Sequence, residues 1–81
     1  MKKSDITGKN VTILGSQRSA MGAARLLRHF GAKVLVSEFD ADKFSADKRQ
    51  VLADIEAEFE FGYHSPDVLA SDLVVVSPGI P

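Results

Sequence analysis

The residues that could do chemistry lie in four short stretches, 15–19, 37–40, 62–64 and 77–79, each directly after a run of strand-forming residues. In an open parallel sheet, ligands bind beyond the carboxyl ends of the strands, so all four stretches are expected at one rim. The first, Gly15-Ser16-Gln17-Arg18-Ser19-Ala20, stands where a G-x-G-x-x-G turn would. Gly15 is its first glycine. Gln17 replaces the second, whose missing side chain admits a pyrophosphate, and Ala20 replaces the third while still allowing close helix–strand packing. A helix start remains there, with unpaired N–H groups and a positive dipole end. An anionic or polar ligand is therefore compatible with the turn, and ordinary dinucleotide binding is disfavoured. A ligand-free reading also accounts for it, with Gly15 making only a tight turn and Ser19 only capping the helix.

Glu38 follows the second strand about 20 residues after that turn, where an acid can accept hydrogen bonds from a ribose or a base N–H. A solvated loop glutamate explains it as well. Arg18 could meet a phosphate or simply begin a helix. His64 has neither a cysteine nor a second histidine at ligand spacing, so no metal site is expected, and a loop histidine at the surface is the plainer reading. His29 reads as a helix-end residue. Glu56, Glu58 and Glu60 share one face of an alternating strand and are expected in water. No nucleophile–base pair, Walker A loop or HExxH motif is present, so no catalytic residue is assigned.

The elements that must position these residues follow from periodicity. Lys9-Asn10-Val11-Thr12-Ile13-Leu14 reads as a strand. Ala20, Ala23, Ala24, Leu27 and Phe30 recur at helical spacing, and Gly31 stops the helix. Arg25, Arg28 and His29 fall near its carboxyl end, where the dipole favours cations. Lys33-Val34-Leu35-Val36-Ser37 is a second strand. Val51, Leu52 and Ile55 mark a second helix, with Ser45 or Asp42 as candidate caps. Glu56-Ala57-Glu58-Phe59-Glu60-Phe61 alternates strictly, as a strand with one wet face does. A helical turn is expected at 66–70, then a strand at 72–77 whose Leu73-Val74-Val75-Val76 run suggests burial on both faces. Strands alternating with helices imply an α/β, Rossmann-like three-layer domain with a small parallel sheet in the order 3-2-1-4. The glutamate-bearing strand is then one edge. The fourth strand is the other, and it is apolar enough that something is expected to pack beyond Pro81.

Composition sets the outer limits. The 81 residues form one small domain, 44% apolar and 26% charged, which excludes disorder. Net charge is −1, without the footprint of a nucleic-acid binder. Cysteine is absent, which excludes disulfides and thiolate sites and suits a reducing cytoplasm. No apolar run approaches membrane-spanning length, and Ser4, Asp5 and Thr7 interrupt any signal-peptide core after Met1-Lys2-Lys3, so neither membrane insertion nor export is expected. Residues 1–39 carry seven Lys or Arg against two acids, and residues 40–81 carry three against nine. Complementary surfaces on one domain explain the asymmetry; an anion facing the first half is the sharper alternative.

The closing segment Leu73-Val74-Val75-Val76-Ser77-Pro78-Gly79-Ile80-Pro81 resembles a signature of the N-terminal domain of the Mur ligases, and of the D-glutamate-adding MurD type in particular. Gly8-Lys9-Asn10-Val11, Gly31-Ala32-Lys33-Val34 and Gly62 with His64 agree, so the resemblance covers essentially the whole chain. It implies a domain that binds the UDP part of UDP-N-acetylmuramoyl-L-alanine in cytoplasmic peptidoglycan synthesis, a process of cell-wall growth and division. It further implies Gly15, Ser16 and Ser19 at the nucleotide, Glu38 and Phe39 beside the uracil, Gly62 lining the base pocket, and Ser77 and Gly79 near the ribose-diphosphate. Gln17 departs from the family's glycine. ATP, magnesium and the amino-acid site would belong to later domains of a longer enzyme, and this chain alone is expected to be inactive. Two other readings are an NAD(P)-binding domain of an oxidoreductase, which Glu38 fits and Gln17 opposes, and a non-catalytic nucleotide-sensing module.

Overall fold

A computed structural model describes residues 5–43 and 45–76. The elements in chain order are β1 (Asn10–Leu14), α1 (Arg18–His29), β2 (Lys33–Glu38), a 3-10 turn (Ala41–Lys43), α2 (Ala46–Asp54), β3 (Glu58–Phe61), a second 3-10 turn (Pro66–Val68) and β4 (Leu73–Val76). The four strands form one sheet in the order β3-β2-β1-β4, every pairing parallel. This is the α/β, Rossmann-like arrangement expected from the alternation of strands and helices.

Register decides which side chains share a face. Val11 pairs with Val34 and Leu73, and Ile13 with Val36 and Val75, so these residues line one face. The core forms there, with Val11, Ile13, Val34 and Val36 packed among Ala20 and Ala24 of α1 and Leu52 of α2. Alanines at 20 and 24 let α1 lie close to the strands. Each fully buried Ile, Leu or Val contributes about 1.5–3 kcal/mol. Both helices cover this one face, as right-handed crossovers running in one direction across a sheet require.

The helix ends follow their local chemistry. Ser45 caps α2, its hydroxyl accepting the Lys48 N–H at 3.3 Å. Gly31 ends α1 in the left-handed region at φ 90°, where its N–H donates to Arg28 O and the Ala32 N–H donates to Leu27 O. Arg28 fastens α1 to its surroundings, donating from Nε to Ile55 O at 2.8 Å and from Nη1 to Ala32 O at 2.7 Å.

The opposite face is covered in part by the β3–β4 connection, where the helical turn expected at 66–70 is a 3-10 turn. Thr12 Oγ1 hydrogen-bonds Ser71 Oγ across this face. Asp72 and Asn10 clamp the start of β4, each N–H donating to an oxygen of the other residue at 2.8 Å.

Two expectations are corrected. The β4 run is not buried on both faces: Leu73 and Val75 pack towards the helices, but Val74 is 41% and Val76 58% exposed. β4 is an edge strand, and so short a connection leaves its outer face open. Nor do the three glutamates share one wet strand face. Glu56 lies before β3 in a turn at φ 60°, Glu58 is exposed, and Glu60 is buried at 8% exposure.

Candidate functional site

The rim is organised by the carboxyl end of β2. The Gly15 N–H donates to Ser37 O at 2.9 Å, extending the β1–β2 ladder past its last residue. The Gly62 N–H donates to Glu38 O at 2.7 Å and extends the β2–β3 ladder in the same way. Both loops therefore lie against Ser37 and Glu38. Both glycines have positive φ, 101° at Gly15 and 86° at Gly62, a conformation that side chains disfavour. Gln17 is different. It is the N-cap of α1 at φ −69° and ψ 172°, ordinary extended backbone that needs no glycine. No side-chain hydrogen bond caps this helix, and its first turn holds no acid. Ser19 lies inside that first turn rather than at the cap.

Ser16 is buried, and its hydroxyl donates to Glu38 Oε1 at 2.6 Å. The Asp40 N–H donates to Glu38 Oε2 at 3.0 Å. Burial alone would raise the Glu38 carboxyl pKa. Hydrogen bonds from the Ser16 hydroxyl, the Asp40 N–H and the Ser16 N–H, with the charge of Lys43, outweigh it and leave the pKa lowered. Glu38 is thus a clamp between the first loop and the β2–α2 connection, with both oxygens engaged from within the chain.

A second carboxylate lies beside it. Register sets Ser37 opposite Glu60. The Ser37 hydroxyl reaches Glu60 Oε2 at 2.6 Å, and the same carboxylate accepts the Ser65 N–H and hydroxyl at 2.6 Å each. Burial raises this pKa too, but Ser37, both Ser65 donors and the nearby His64 imidazole bring it below the ordinary value. His64 Nδ1 lies 2.6 Å from Ser37 Oγ, and its ring meets Phe39 at 5.7 Å between centroids. This is not a nucleophile–base pair: the Ser37 oxygen is wholly buried and lies between the carboxylate and the imidazole.

The structure therefore brings Gly15, Ser16, Glu38, Phe39 and Gly62 to one rim, with Ser19 one helical turn away. Ser77 and Gly79 lie outside the described residues. Glu60 and Ser65 were missed by sequence reasoning, Ser37 was placed at the rim without a role, and His64 was taken as a plain surface group. Their signal was present in outline: a polar residue ending β2 opposite an acid on β3. Among the described residues no group of three or more His, Cys, Asp or Glu side chains is placed to hold a metal ion. Two cavities of about 320 and 300 Å³ lie elsewhere, one towards the amino ends of the strands around Asn10, Lys33 and Ser71, the other around Ile6 and Asp72. No described candidate residue lines either. No helix among the described residues is long and apolar enough to cross a membrane.

Comparison with known proteins supplies the family. Residues 10–81 match the model described as the MurD N-terminal domain. A protein of Pelodictyon phaeoclathratiforme named UDP-N-acetylmuramoylalanine--D-glutamate ligase is 42% identical over 77 residues, which is 95% of this chain and 16% of that protein. The protein of the same name from Chloroherpeton thalassium is 38% identical over 81 residues, 100% of this chain and 17% of its own length. The one from Salinibacter ruber is 36% identical over the same span. The chain thus spans about a sixth of the length of these relatives.

Proposed function

The chain belongs to the MurD N-terminal domain family, and from that premise we infer that its rim binds the UDP part of UDP-N-acetylmuramoyl-L-alanine for a D-glutamate-adding ligase of peptidoglycan synthesis. The observation that carries this reading is the convergence on β2. Gly15 and Gly62 close the two ladders with backbone in place of side chain, one on either side of the Glu38–Phe39 corner. The start of α1 faces the same rim, and its positive dipole end favours an anionic diphosphate. Phe39 offers an exposed ring to a base. Ser77 and Gly79 are assigned to the same ligand on resemblance alone.

Ligation and its energy source are assigned to other parts of a longer cytoplasmic enzyme. We place ATP and magnesium there because the phosphate-cradling G-x-x-x-x-G-K-[ST] loop is missing from this sequence. The 81-residue chain incubated with ATP, magnesium, D-glutamate and UDP-N-acetylmuramoyl-L-alanine is expected to release no phosphate. Turnover above background from a clean preparation would overturn that assignment.

An oxidoreductase-type dinucleotide site is the competing reading, and Gln17 argues against it. A dinucleotide pyrophosphate lies against the first loop, where the Gln17 side chain takes the place of the glycine that would admit it. Calorimetric titration with UDP and with NAD decides between them. UDP is expected to bind more tightly, and tighter NAD binding would replace the ligase reading.

A further inference from the structure

Hydrogen-bond accounting at Ser37 fixes the proton position on His64. Ser37 Oγ is 2.6 Å from Glu60 Oε2 and 2.6 Å from His64 Nδ1, with Tyr63 O a distant third neighbour at 3.4 Å. Glu60 also accepts two donors from Ser65, as an ionised carboxylate does. An ionised carboxylate only accepts, and a serine hydroxyl has one proton, so that proton goes to Glu60. Nδ1 must then donate its own proton to Ser37 Oγ. In the neutral imidazole this leaves Nε2 as a lone-pair acceptor. His64 is exposed, and Nε2 has no hydrogen bond among the described residues.

Phe39 stands beside this acceptor, 69% exposed, its ring tilted 39° to the imidazole. An apolar ring face next to an outward acceptor suits a planar base that carries an N–H on its edge. Glu38 is less suited to that task, because Ser16 and Asp40 already engage its two oxygens.

We propose that His64, held in its Nδ1–H form by Ser37 and Glu60, accepts the N3–H of a uracil lying at Phe39, and so selects uracil over cytosine. The proposal rests on the uridine reading above and adds the residue that reads the base. Uracil N3 carries a proton, whereas cytosine N3 is an acceptor. Two lone pairs would then face each other, and the bound cytosine would leave Nε2 without a donor. Ser37 and Glu60 act as positioning residues, since neither reaches the ligand.

The test uses UDP, CDP and N3-methyl-UDP, titrated calorimetrically into the 81-residue chain and into His64→Phe. The phenyl ring preserves an aromatic surface and removes the acceptor. Wild type is expected to bind UDP roughly tenfold more tightly than either analogue, about the worth of one hydrogen bond. His64→Phe should bring all three ligands to similar affinity. The imidazole nitrogen-15 spectrum of the free chain, taken above the imidazole titration range, should show Nδ1 protonated and Nε2 bare. Equal binding of UDP and CDP by wild type overturns the proposal and leaves the uridine reading standing. So does an undiminished UDP preference in His64→Phe, or an Nε2–H tautomer. Failure to bind UDP at all removes both readings.

Discussion

Ser37 and Glu60 face each other across the β2–β3 ladder, the buried hydroxyl 2.6 Å from a buried carboxylate on an edge strand. An edge strand ordinarily turns its charges to water. Here the β3–β4 connection folds back and supplies Ser65 as well, so three donors replace the solvent around one acid. The charged group becomes part of the scaffold that holds the rim.

That arrangement has a sign in pH. Glu38 and Glu60 both have carboxyl pKa values lowered in the folded chain. Their contribution is complete above the unfolded carboxyl range, about 4.3, and is lost as pH falls through the folded values. Urea unfolding midpoints should therefore be flat from neutral pH to about 5 and decline below it. Glu60→Gln should flatten part of that decline. At neutral pH it should cost about 1–3 kcal/mol, because its amide donors meet those of Ser37 and Ser65. An equally steep decline in the variant would contradict a structural role for Glu60.

The contrast between Glu60 and its neighbours shows what the sequence carried and what it did not. Strand order was legible because each strand–helix–strand unit permits one handedness, and the Ser45 cap because a serine three residues before a backbone donor has a local explanation. The alternation at 56–61 likewise separated the two faces of β3. It could not say what would cover the second face, because Ser37 and Ser65 reach Glu60 from 23 residues before it and five residues after it. His64 was obscure for the same reason: its meaning comes from Ser37, 27 residues away. At β4 the apolar run described residue type, while exposure was set by the brevity of the preceding crossover. Gly15 and Glu38 were legible because a turn before a helix and an acid ending a strand are local patterns.

Two glycines should respond oppositely to alanine. Gly22 lies within α1, and a Cβ added there would meet nothing within 4 Å. Gly22→Ala should stabilise the chain by about 0.5–1 kcal/mol through helix propensity. Gly31 has φ 90°, and a Cβ would come within 3.1 Å of Thr7 Cγ2. Gly31→Ala should destabilise by about 1–2 kcal/mol, the cost of a left-handed non-glycine residue with a crowded neighbour. Thermal melts of the two variants should move in opposite directions. A lower melting point for Gly22→Ala would mean that α1 is not presented to solvent as described.

The valines of β4 should divide by parity. Val75 packs against the core beside Ile13, whereas Val76 is mostly exposed. Val75→Ala should cost about 1–2 kcal/mol, from the loss of two partly buried carbons and the gap they leave. Val76→Thr should change stability by less than about 0.5 kcal/mol, as exposed substitutions usually do. Denaturant titrations of both variants give the comparison, and equal losses would restore the reading of β4 as buried on both faces.

The last prediction concerns the Ser16–Glu38 pair, which joins the first loop to the end of β2 over 22 residues of sequence. A hydroxyl donating to a buried carboxylate at 2.6 Å is charge-assisted and stronger than a neutral hydrogen bond. Ser16→Ala removes the hydroxyl donor and leaves Glu38 with the Ser16 and Asp40 N–H groups and the charge of Lys43. Glu38→Ala removes the acceptor and strands the Ser16 hydroxyl where no solvent reaches it. Each single variant should lose about 1–3 kcal/mol of stability. The double variant should lose less than the sum by about 1–2 kcal/mol, because the bond between the hydroxyl and the carboxylate is lost only once. The same cycle run on UDP affinity separates two roles for Glu38. If the acid works by holding the first loop, Ser16→Ala and Glu38→Ala should weaken UDP binding to a similar degree and show coupling. If the acid contacts the base itself, Glu38→Ala should weaken binding far more than Ser16→Ala. With both carboxylate oxygens occupied by Ser16 and Asp40, the coupled outcome is expected. A dominant effect of Glu38→Ala on affinity, with additive stabilities, would return Glu38 to direct contact with the ligand.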